Sequence, residues 1–215
     1  TGAFPAEYGN AYSGAFDIRF RKGNPDKREY TFRAGMLGLD FSTEGPFRKG
    51  GEATYLVNYR YSTLGILNKM GLHLVGERID NTFQDLSFKF NFQGKNGGEW
   101  SLFGLGGLSN NVFEHKTDSA AIEQFKDFFD IDYQSKTGII GLSNRTPLGK
   151  NGWISLSLAA SAQTNERTSN SETFEQFNSS DDLQESKISS SLTLSQRLHP
   201  QIRLMAGAML TRQYF

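Results

Sequence analysis

Gln84-Asp85-Leu86-Ser87-Phe88-Lys89-Phe90-Asn91-Phe92 is the stretch whose reading decides the fold. Successive side chains of an extended chain point to opposite faces. Leu86, Phe88, Phe90 and Phe92 therefore share one face, and Asp85, Ser87, Lys89 and Asn91 share the other. A two-residue period with one oily and one wet face predicts a strand of an antiparallel sheet. The pattern leaves one question open, whether the oily face meets a protein core or a lipid bilayer.

The same alternation recurs on both sides of this stretch. Upstream, Tyr30, Phe32 and Ala34 share a face, then Leu37, Leu39 and Phe41, then Ala53, Tyr55, Val57, Tyr59 and Tyr61. Downstream come a Gly-rich segment over 99–109 and another strand over 132–143. Ile154, Leu156, Leu158, Ala160 and Ala162 follow, set against Ser155, Ser157, Ala159 and Ser161. Segments 185–198 and 202–211 alternate in the same way, which makes nine strands. Gly/Pro/Asn-rich turns fall at 44–51, 94–98, 147–152 and 199–201. Long connections are expected at 63–83, 110–131 and 164–184, and Gly35-Met36-Leu37-Gly38 is a tight link. In the second long connection Ile122, Phe125 and Phe129 have helical spacing, which predicts a short loop helix. Short turns alternating with long loops are the rhythm of outer-membrane barrels, whose turns are short at one membrane face and loops long at the other.

The bulk composition of the 215 residues agrees. Zero net charge argues against a nucleic-acid partner, which calls for a clustered basic excess. No apolar run reaches the roughly 18 residues of a transmembrane helix, a test to which a strand-built membrane protein is blind. Without cysteine there is neither a disulfide nor thiolate chemistry. No signal peptide is visible, and Thr1-Gly2-Ala3-Phe4 reads as an entry in mid-protein. Tyr30, Tyr55, Tyr59, Tyr61 and Trp153 are candidates for aromatic girdles at the two interfaces. An odd number of strands leaves an open edge, which lipid penalises by several kcal/mol per unpaired backbone group. The chain is therefore expected to be a piece of a longer barrel.

Three patches carry a family resemblance. Glu7-Tyr8-Gly9-Asn10-Ala11-Tyr12-Ser13-Gly14-Ala15-Phe16-Asp17-Ile18-Arg19 ends in a short strand expected over 15–21. Tyr55-Leu56-Val57-Asn58-Tyr59-Arg60-Tyr61-Ser62-Thr63-Leu64-Gly65 and Phe83 to Phe92 are the other two. The chain resembles the TonB-dependent receptors of the bacterial outer membrane, in particular the large Bacteroidota group. The likeness covers residues 4 to about 110, and beyond that only the strand rhythm continues.

The resemblance implies a partial antiparallel transmembrane β-barrel meander from a 22-stranded barrel filled by a plug. Residues 1–22 would be the end of the plug, and 23–215 the first strands of the barrel. Tyr8, Gly9 and Gly14 match the plug-end pattern, and Arg19 and Arg21 lie on its strand; their role is expected to be structural, with the arginines facing lumen carboxylates. The implied function is active import of a nutrient (glycan, peptide, siderophore or vitamin). The energy would come from the TonB–ExbB–ExbD complex acting through the plug, and a surface lipoprotein is a further implied partner. Two alternatives stand beside it. One is a barrel that has lost transport and serves as a scaffold or docking subunit, and the other is a soluble β-sandwich binding module.

No enzyme is expected. His73, His115 and His199 are scattered without ligand spacing, and Gly104-Leu105-Gly106-Gly107 lacks the ending of a phosphate loop. No Gly-x-Ser-x-Gly is present. The acidic groups Glu123, Asp127, Asp130 and Asp132, and Asp181 with Asp182, lack the spacing of a calcium loop and read as solvated charge. No cofactor or metal is expected. The loop aromatics Phe125, Phe128, Phe129, Phe174 and Phe177 hint at sugar or peptide stacking, while the substrate itself is left open.

Overall fold

The computed structural model describes residues 18–72, 79–118, 120 and 122–215. Nine strands carry the fold: β1 (Glu29–Ala34), β2 (Leu39–Pro46), β3 (Thr54–Tyr61), β4 (Ile79–Gln93), β5 (Glu99–Phe113), β6 (Asp130–Leu148), β7 (Gly152–Asn170), β8 (Ser179–His199) and β9 (Ile202–Tyr214). They lie in one sheet in chain order, each antiparallel to the next. This is an all-β meander, the arrangement of a stretch of barrel wall. A short helix α1 (Leu64–Lys69), which the sequence did not announce, sits between β3 and β4.

The registers align the alternating residues into two continuous faces. One row of partners runs Tyr55, Phe90, Leu102, Leu142, Leu158, Ser190, Leu210. The adjacent row on the other face runs Thr54, Asn91, Ser101, Ser143, Ser157, Ser191. A one-residue slip in any strand would throw its whole apolar set to the wrong side, so the pattern fixes the register.

Burial on these faces is the reverse of that in a soluble domain. Leu158 is 45% exposed, whereas Asn91 is 3% and Ser195 2% exposed. Among the described residues the buried hydrophobic side chains are Leu64 and Phe129, neither of them on a sheet face. Apolar burial normally drives folding, and here the sheet keeps its apolar side chains outward. The crowded side is polar, as on the inside of a curved wall. Gly141 on that side admits the Phe103 ring, which lies 2.3 Å from where a Cβ would be.

Ile154 to Ala162 spans nine residues of outward apolar alternation. At ~3.3 Å per residue and a tilt of ~40° this makes a band about 23 Å tall. Past it β7 continues with both faces polar over Gln163 to Asn170.

Several sequence expectations need correction. β7 runs to Asn170 and β8 begins at Ser179, so the connection expected over 164–184 shrinks to 171–178. The other two long connections shrink to 62–78 and 114–129. Pro147, expected in a turn, pairs with Trp153 inside the β6–β7 ladder. The loop helix reduces to a 3₁₀ turn at Phe125–Phe128. Trp153 lies on the polar face, beneath the Arg145 guanidinium at 4.3 Å, and not in an outward girdle. In its place Trp100 shares the apolar row of Phe92. Residues 18–21 form no strand, and the rest of the expected 15–21 strand lies outside the described residues.

Candidate functional site

Two places stand apart from the repetitive wall. The first is the polar face of β2–β5, where residues 18–28 are laid against it. Lys89 Nζ donates to the Phe20 carbonyl at 2.8 Å. Lys22 pairs with the Glu99 carboxylate, and Glu99 also accepts from Asn91 Nδ2 at 2.7 Å. Arg21 pairs with Glu44, whose carboxylate also accepts the Asn24 backbone N–H at 2.9 Å. Arg28 Nη2 donates to the Phe47 carbonyl at 2.9 Å. Gly23 is required where the segment passes β3, because a Cβ there would lie 2.0 Å from the Tyr55 carbonyl oxygen. Between Ile18–Lys22 and the rows of hydroxyls is a cavity of about 1030 Å³, lined by Lys89, Glu99, Ser143, Arg145 and Ser157 among others. It is a polar chamber in which Lys22 and Lys89 find partners in the Glu99 carboxylate and the Phe20 carbonyl, as groups drawn away from bulk water must.

Of the plug-end residues singled out in the sequence, Tyr8, Gly9 and Gly14 lie outside the described residues. Arg19 lines the cavity, and Arg21 meets Glu44 with its own side chain largely exposed. Lys22, Gly23, Lys89 and Glu99 were missed. Lys89 had a signal, as the one cation on the polar face of the opening stretch.

The second place is the long-loop end, where the connections 114–129 and 171–178 meet. Phe125 is the hub. Its ring centroid lies 5.1 Å from Phe129, 5.3 Å from Phe174, 5.7 Å from Phe177 and 6.4 Å from Phe128. Phe128 and Phe174 are 5.1 Å apart and edge-on. All five phenylalanines named from the sequence thus converge. Phe129 anchors the group at 6% exposure, while Phe125 and Phe177 leave 54% and 56% of their surface open.

Asp127 shapes the first of these loops. Its carboxylate accepts the backbone N–H groups of Glu123 and Gln124 at 3.0 and 3.1 Å and the Lys116 ammonium at 3.0 Å. The Glu123 N–H, then Lys116, hold its acid group down to about 2. Asp130 is likewise lowered, first by the backbone N–H of His115, whose ring nitrogen lies 2.9 Å from the same carboxylate. These carboxylates are engaged in holding the loop. His73 lies outside the described residues, and His115 and His199 sit at opposite ends of the sheet. Among the described residues no group of three or more His, Asp or Glu is placed to hold a metal ion.

No family model, curated protein or solved structure matches the chain.

Proposed function

We propose that this chain forms part of the barrel wall of a TonB-dependent outer-membrane receptor, and that the whole protein imports a nutrient at the expense of inner-membrane energy. The observation that carries this reading is the inversion of the sheet, with Leu156, Leu158, Leu192 and Leu194 outward and Asn91, Ser101 and Ser195 shielded. A lipid surrounding makes that arrangement favourable, and closed strand architecture is the way to cross a bilayer without a helix. The chain segment held against the polar face by Lys89, Glu99 and Glu44 supports a filled lumen. The short-turn end then faces the periplasm and the aromatic loops face the outside, in the bacterial outer membrane.

Cell fractionation and growth test it. A strain lacking the gene, and a second strain lacking TonB, are grown on panels of glycans, peptides, metal chelates and vitamins as limiting nutrients. The expected result is membrane-associated protein and the same nutrient defect in both strains. Recovery of the protein as a soluble monomer overturns the membrane reading. Membrane protein with unaltered growth on every panel overturns import and favours a scaffold.

A further inference from the structure

The two aromatic loops repeat a tripeptide. Glu123-Gln124-Phe125 lies in one and Glu175-Gln176-Phe177 in the other, and each stands at a 3₁₀ turn. The turns bring Phe125 and Phe177 together edge to face, with an interplanar angle of 86°. Holding two loops together requires shielded rings, and buried Phe129 with half-buried Phe128 and Phe174 provides them. It does not require two further rings each more than half open to water. Exposed aromatic surface of that kind marks a contact for something else.

The surroundings say what that is. Residues 114–130 and 171–182 hold nine Asp and Glu against two Lys. Asp118, Asp127 and Asp130 accept backbone N–H groups within the loop, which leaves six carboxylates, all of them exposed. The rings themselves carry no hydroxyl or indole N–H, so they present a purely apolar surface. An apolar platform inside an acidic rim complements a chain that alternates apolar and cationic side chains.

We propose that the paired loops bind a cationic peptide bearing apolar side chains. Phe125 and Phe177 receive the apolar side chains, and Glu123 and Glu175 face the lysines or arginines. That this peptide is also the cargo rests on the import reading above; the binding itself does not.

The test uses the full-length protein in detergent and a fluorescein-labelled octapeptide of alternating Lys and Phe, read by anisotropy. Saturable binding is expected, weakened at least tenfold when Ser replaces Phe in the probe. Phe125→Ala with Phe177→Ala weakens it about tenfold, whereas Phe125→Leu with Phe177→Leu recovers part of the loss. Glu123→Gln with Glu175→Gln weakens it several-fold and flattens its dependence on salt. Unchanged heat-modified gel mobility shows that each variant has folded. Equal affinity of wild type and the double alanine variant overturns the proposal, as does equal displacement of the probe by a neutral oligosaccharide. A failed binding test leaves the growth test of import standing, and a failed growth test leaves the binding result standing.

Discussion

Replacing Leu158 with arginine separates a membrane wall from any water-exposed sheet. Leu158 is the middle of the five outward positions Ile154, Leu156, Leu158, Ala160 and Ala162, and its side chain is 45% exposed. At the midplane of a bilayer an outward Arg costs about 2–4 kcal/mol. On a hydrated surface the same change lies within about 0.5 kcal/mol of zero. A cost of about 3 kcal/mol lowers the folding equilibrium constant by roughly two orders of magnitude, well outside the error of a titration. Depth provides an internal control. Ile154 and Ala162 lie four residues either way along β7, about 10 Å from the midplane at the tilt used above. Arg at either position should cost only about 0–1 kcal/mol. Ser157→Arg points the new charge into the polar chamber and should also be mild. The assay is equilibrium denaturant unfolding of the full-length protein refolded into phospholipid vesicles. A flat profile along 154, 158 and 162, or a Leu158→Arg change below about 0.5 kcal/mol, refutes the reasoning from inverted faces.

Two further tests address the loops and the chamber. Gly23→Ala drives a methyl against the Tyr55 carbonyl and should lift residues 18–28 off β3. A zero-length carbodiimide cross-link between Lys22 and Glu99, expected in the native protein, should then fall to background; a cross-link that survives intact counts against the docked segment. Asp127 is held down to about 2 from an ordinary value near 3.8, so its contribution to the loop is fully present above pH 4 and drains away as pH falls toward 2. Hydrogen exchange of 114–129, corrected for intrinsic rates, should accelerate over that window, and Asp127→Asn should be fast already at pH 5. An unaltered profile in the variant would remove Asp127 from its assigned role.

The fold was legible where the two faces differ and illegible where they agree. Leu86 to Phe92 and Ile154 to Ala162 announce their strands because one face is apolar and the other polar. Thr164 to Ser169 is equally extended and fully paired with β8, yet was expected to be loop. Its two faces meet the same solvent, so nothing in the sequence alternates. Pro147 misled for a related reason. It punctuates a chain that turns only at 149–151, and its missing N–H is tolerated near a strand end. Trp153 was assigned by residue type, whereas its parity with Ser155 and Ser157 already placed it on the wet side.

The two candidate sites differ in legibility because they are built at different ranges. The aromatic loops could be named because five phenylalanines in polar connections are conspicuous, and the repeated Glu-Gln-Phe is a local signal that was overlooked. That the rings meet follows from the antiparallel order β5 to β8, which returns both connections to one end of the sheet. The chamber has no comparable signal. Lys22 and Glu99 are 77 residues apart, and Lys89 and Phe20 are 69 apart. Nothing local demands those pairings; they arise because the wall keeps its ionic groups on the same side as the segment that precedes it. An ordinary domain would spend such groups on its surface and bury the leucines. Here Lys89 and Glu99 face inward for the same reason that Leu158 faces outward, and any perturbation that restores one preference must violate the other.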